Sequence, residues 1–204
     1  MSAENSPALD PKLVDRVKGI LLRPKLEWPV IAAESATVKA LFTRYAMILA
    51  AIPAVSTLIN DLVIERNGAL AGLLAAALTY VLSLLSAYIV GIVIDALAPS
   101  FGSEKNMLQS MKLSVYAMTP GWVAGILNII GLDALGALIG LYGFYLLYLG
   151  FGPLKNTPAD KTVVYTIVTV LVAIVLNVVI FSLIAAVIAS FAIVGVGAAA
   201  FALS

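Results

Sequence analysis

Charged and polar positions occur in short groups, separated by long apolar runs. The clearest unit lies between Lys112 and Lys155, where 42 residues carry a single charge, Asp133. A hydrocarbon core about 30 Å thick takes about 20 apolar residues per helix. The unit therefore predicts two spanning helices, about 112–130 and 134–151, joined by a turn at Gly131-Leu132-Asp133. Backbone in lipid has to satisfy its own hydrogen bonds, which leaves a helical hairpin as the simplest solution.

The same pattern predicts further spans on either side. Span one runs over about 45–60, with Pro53 near its middle, and is extended by 42–44 or 61–63. Span two covers about 69–97, with a small-residue face at Ala71, Gly72, Ala75 and Ala76 suited to close helix contact. From Thr162 to Ser204 there is no charged residue. At 1.5 Å per residue that is about 60 Å of helix, twice the bilayer core. Five spans with an apolar tail are expected. The alternative is a turn near 182–190 with a sixth span returning.

The first 44 residues are different. Residues 1–9 read as a disordered lead, and Asp10-Pro11 as a helix start with Asp10 as N-cap. Leu13, Val14, Val17, Ile20 and Leu21 then recur at helical spacing, and Arg23-Pro24 ends the helix. An amphipathic helix of this kind suits a membrane surface, with Arg16, Lys18, Arg23 and Lys25 at the headgroups and Trp28 as an interfacial anchor. It is equally suited to packing on the end of the bundle. The expected organisation is a lead (1–9), an interfacial segment (10–44) and a transmembrane bundle (45–204).

Composition agrees with this reading. Apolar residues make up 62% of the chain and charged residues 11%, against about 25% charged in soluble domains. The fold class is all-α, a polytopic integral membrane helical bundle. With the N-terminus in the cytoplasm, eleven of the twelve lysines and arginines fall on the inner side and Arg66 alone falls outside. Such a bias orients membrane proteins. Cysteine and histidine are absent, which removes disulfides, thiol nucleophiles and the commonest metal ligands. Walker, GxSxG and paired-carboxylate patterns are missing too. No catalytic residue, metal, cofactor or nucleic-acid partner is expected.

A few residues stand out within the spans. Asp95 lies near the end of span two, where an ionisable group needs a partner or a function. Lys112 or Lys105 could tie it to span three; an ion or proton role is the other reading. Thr119, Pro120 and Asn128 could line a cavity if span three unwinds, as broken helices do in transporters. The alternative is a kink repaired by hydroxyls such as Thr119 or Ser56. Gly136, Gly140 and Gly143 form a small-residue face on span four, for another span or another copy of the chain. Tyr142, Tyr145 and Tyr148 follow on one side of that helix, for packing or for lining a ligand.

Several strings together resemble a known family: VDRVKGILLRPKLEWPVIAAE, IDALAPSFGSEKN, YAMTPGWVAGIL, LYGFYLLYLGFGPL and TPADK. In order and spacing they are similar to the bacterial branch of the Yip (Ypt-interacting protein) family. The resemblance implies a five-span membrane domain with a cytoplasmic N-terminus. Eukaryotic members are associated with Golgi and ER trafficking and bind Rab-type GTPases. Their acidic-Tyr-Gly-Pro motif is represented here only by Phe151-Gly152-Pro153, without the acidic residue. The expected function is a non-enzymatic protein of a bacterial inner membrane that organises lipids or membrane partners, including further copies of itself. A small channel or transporter is the alternative, and an enzyme acting on lipid head groups is a third class.

Overall fold

The structure, a computed structural model, describes residues 11–64 and 69–202, with side-chain environments for 13–64 and 69–183. The lead, the Asp10 cap and the loop charges Glu65 and Arg66 lie outside the described residues. Seven helices follow in order: α1 (Pro11–Leu22), α2 (Pro24–Ala33), α3 (Val38–Ile64), α4 (Ala69–Phe101), α5 (Met107–Ile130), α6 (Asp133–Lys155) and α7 (Ala159–Ala202). Five of them, α3 to α7, are long and apolar enough to cross a membrane. The chain is an all-α polytopic bundle.

Helices α4, α5, α6 and α7 surround a common interior, α3 packs on α4 and α5, and α2 packs on α6. Local chemistry sets the ends. Pro24 opens α2 at its first position, where a missing N–H costs nothing. Thr37 caps α3, its hydroxyl accepting from the Ala40 N–H at 3.1 Å. Gly131 takes the left-handed conformation (φ 69°) at the turn between α5 and α6, where the sequence placed it. Asn156 (φ 48°) closes α6 in the same way.

The helices extend beyond the apolar runs that predicted them. Helix α3 begins at Val38, so the expected boundary at residue 44 falls inside a helix, and α5 begins at Met107. The added turns lie at one end of the bundle, termed the polar end, where polar side chains pack on each other. On α3 the exposed large apolar residues run from Met47 to Ile64, about 27 Å of helix, just after the exposed Arg44. That length is close to one hydrocarbon core. The tail is a single element: α7 continues unbroken through 182–190, so no turn forms there and no sixth span returns. None of these residues is proline or charged, and helix satisfies the backbone of a long apolar run.

Candidate functional site

The expected small-residue face of α6 meets α5. A Cβ on Gly143 would stand 2.6 Å from the Ala117 carbonyl oxygen, and one on Gly136 would stand 3.4 Å from the Ala124 carbonyl oxygen. The partner of this face is therefore a neighbouring span of the same chain. Pro53 serves as a packing point, since a Cβ on Gly125 would come within 2.6 Å of the Pro53 Cβ. The Thr57 hydroxyl donates back to the Pro53 carbonyl at 2.9 Å. In α5 the chain tightens at Met118 and restarts at Thr119-Pro120, and the Trp122 N–H still reaches the Met118 carbonyl at 3.1 Å. The Thr119 hydroxyl is paired with that of Tyr45 at 2.8 Å.

Asp95 lies in a buried junction at the polar end. Its expected partners were Lys112 or Lys105; the structure pairs it instead with Lys155, Nζ to Oδ1 3.3 Å, both side chains almost fully buried. Lys155 also donates to the Ser110 hydroxyl at 2.7 Å and to the Asn106 carbonyl at 3.2 Å, which occupies its three N–H groups. Ser110 in turn donates to Asp95 at 3.1 Å. One lysine thus ties α6 to α4 and α5. The link was missed because Lys155 lies 60 residues from Asp95, beyond a whole helical hairpin. Lys105 is exposed.

Lys112 has a different role. It is 1% exposed and donates to the carbonyls of Ile31 at 2.8 Å and Glu34 at 2.7 Å. These oxygens belong to the C-terminal end of α2, which carries partial negative charge, so a buried cation caps a helix from outside. Gln109 adds a bond to the Ala32 carbonyl at 3.0 Å. Arg16 bonds both Glu27 and Glu34 and lies over the Tyr116 ring, 5.8 Å from its centroid.

These contacts place the N-terminal segment. Helices α1 and α2 form a hairpin set into the bundle. Its open end is at Lys112, and its turn is near Tyr142, whose hydroxyl donates to the Leu21 carbonyl at 3.1 Å. Of the expected membrane-surface residues, Lys18, Arg23 and Lys25 are exposed, while Arg16 is consumed in ion pairs. Trp28 is not at the headgroups. It is fully buried, edge-on to Tyr116, and sits where Gly150 has no side chain; a Cβ there would come within 2.9 Å of the indole. The WP pair reads as an interfacial anchor only because the glycine that receives the ring lies 122 residues further along. Tyr145 and Tyr148, at 43% and 40% exposure, are largely outside the core.

A cavity of about 400 Å³ lies between α4, α5, α6 and α7, away from this junction. The cavity opens on one side between the helices, where exposed Gly121 and Phe144 lie on its lining. Asp95, Thr119 and Asn128 do not converge on it. Asp95 is in the junction, Thr119 is bonded to Tyr45, and half-buried Asn128 lies by the Gly131 turn, beside Gly136.

Five helices long and apolar enough to cross a membrane match the five-span domain that the strings of the sequence implied. A family model described as the Yip1 domain matches residues 18–180. The chain belongs to the Yip1 domain family. That match takes in most of the hairpin and the five apolar helices, and it ends just short of the last described side chains on α7. With it the chain is an integral membrane protein of the Yip1 type. No curated protein and no solved structure matches it.

Proposed function

We propose that this Yip1 domain is a non-enzymatic organiser of a bacterial inner membrane, and that its hairpin turn is the surface through which it holds anionic lipid. The observation that carries this reading is the exposure of Leu22 (76%) and Leu26 (69%) on a hairpin otherwise fastened to the bundle. Arg23 and Lys25 are exposed beside them. The turn lies beside Tyr142, and α1 packs against α5 residues Thr119–Ala124. Two leucines entering the acyl region, with two cations at the phosphates, is the arrangement that favours an anionic leaflet. Each cation near such a surface contributes about 1 kcal/mol.

The polar end is taken as cytoplasmic, because Lys39, Lys105 and Lys161 are exposed beside its helix ends and Arg44 is exposed just before the apolar belt of α3. The paired charges support a structural rather than a chemical role. Asp95, Lys155, Lys112, Arg16, Glu27 and Glu34 are engaged with one another or with backbone.

The test uses full-length protein in phosphatidylethanolamine–phosphatidylglycerol vesicles. Spin-labelled phosphatidylglycerol should be enriched around wild type and lose that enrichment in Arg23→Gln/Lys25→Gln. Leu22→Ser/Leu26→Ser should retain the charge preference but leave the turn accessible to a water-soluble quencher. Equal enrichment in wild type and the double glutamine variant would refute the reading.

A further inference from the structure

We propose that the cavity between α4, α5, α6 and α7 holds one acyl chain of a phospholipid from the leaflet next to the polar end, with Thr169 hydrogen-bonded to its ester carbonyl. Three independent observations lead there.

The first is the behaviour of two glycines. At Gly143 and Gly125 a Cβ would collide with backbone or with proline, so packing alone excludes a side chain. At Gly121 and Gly140, which face each other across α5 and α6, a Cβ would meet nothing nearer than 4.0 Å and 3.8 Å. Either glycine alone could carry a Cβ at ordinary contact distance, because the residue facing it is also glycine. What their missing side chains leave open is the wall of the cavity, which both residues line.

The second is an unmet hydrogen bond. The polar side chains of the interior pair across helices: Ser86 donates to Asn177 at 2.6 Å, and the Trp122 indole donates to Ser83 at 2.6 Å. Thr169, which lines the cavity, is fully buried and its hydroxyl has no partner. A buried hydroxyl in apolar surroundings favours a ligand that accepts one hydrogen bond.

The third is length. The α7 lining runs from Thr169 to Phe181, about 18 Å at 1.5 Å per residue, against about 15 Å for half of the hydrocarbon core. Thr169 is at the end towards the junction, one turn beyond Tyr165, whose hydroxyl donates to the Ile94 carbonyl next to Asp95. A lipid of the adjacent leaflet with its ester at Thr169 would lay its acyl chain along that length. The volume falls within the usual range for ligand sites, and the predominantly apolar lining offers water too few partners.

The site is separate from the hairpin turn, so this proposal and the function proposed above fail independently. Full-length protein is purified in mild detergent and examined by native mass spectrometry. It is then reconstituted with phosphatidylglycerol carrying a diazirine at mid-chain. Wild type should retain one phospholipid and crosslink through α5, α6 and α7 at the cavity. Gly140→Leu and Gly121→Leu fill the space from α6 and from α5, so both should melt at or above the wild-type temperature and lose the lipid and the crosslink. If one leucine variant does not fold, the other still decides. Thr169→Val should weaken retention of ester-linked lipid about 2- to 12-fold, the worth of one hydrogen bond, and leave an ether-linked analogue unaffected. Undiminished lipid in a folded leucine variant overturns the proposal. So does retention of free fatty acid in place of phospholipid, or crosslinking confined to the outer faces of the helices.

Discussion

Replacing Lys155 with methionine strands the Asp95 carboxylate. In the native chain that carboxylate accepts from Lys155 at 3.3 Å and from Ser110 at 3.1 Å, and it is 3% exposed. Removing one partner of a buried pair leaves an uncompensated charge and costs about 3–5 kcal/mol. Asp95→Leu leaves the ammonium with only Ser110 and the Asn106 carbonyl, and should cost a similar amount. The double variant removes both charges, and the Ser110 hydroxyl, freed from Asp95, can donate to the Asn106 carbonyl 3.0 Å away. Its cost should therefore be well below the sum of the singles, with a coupling of about 2–3 kcal/mol or more. Equilibrium unfolding in mixed micelles, followed by intrinsic fluorescence, measures this. The two tryptophans of the chain, Trp28 and Trp122, are both buried, one in the hairpin and one in the bundle. A cost below about 1 kcal/mol for Lys155→Met, or additivity in the double variant, would refute the view that the junction fastens α6 to α4 and α5.

Two further outcomes follow from the same contacts. Lys112→Met removes two charge-assisted bonds worth about 1.5–3 kcal/mol each from the end of α2. Amide exchange in 24–34 should rise tenfold or more while α4 and α7 retain their protection, and unchanged exchange would show that the lysine does not hold the hairpin. Gly143→Ala should destabilise by about 1–3 kcal/mol, because the new methyl meets a backbone oxygen that cannot move aside. Gly140→Ala should be close to neutral, and equal melting temperatures for the two would contradict the assigned helix contact.

Much of the architecture was legible in the chain because lipid imposes simple rules. Apolar length predicts a span, and Gly131 between two such lengths predicts a turn. The small-residue spacing of Gly136, Gly140 and Gly143 predicts a close helix contact, and the structure supplies Ala117 and Ala124 as its partners. Arg23-Pro24 marks the break between α1 and α2 for a local steric reason.

What the chain alone could not decide is where its polar groups end. An Asp near a helix terminus calls for a cation, but Lys105, Lys112 and Lys155 all remain candidates until the helices are packed. Packing sends Lys155 to Asp95 and Lys112 to the carbonyls of α2. An amphipathic N-terminal helix is written in its periodicity. Its apolar face meets protein, with Ile20 in the core and Leu13, Val17 and Leu21 packed on it, and Trp28 of α2 fills a groove at Gly150 and Tyr116, far along the chain. The cavity is a property of four helices together, since each wall residue looks like ordinary small or apolar packing in isolation. Periodicity acts over a few residues and survives in the sequence, whereas pairing and the space left between helices depend on side chains brought together from distant parts of the chain.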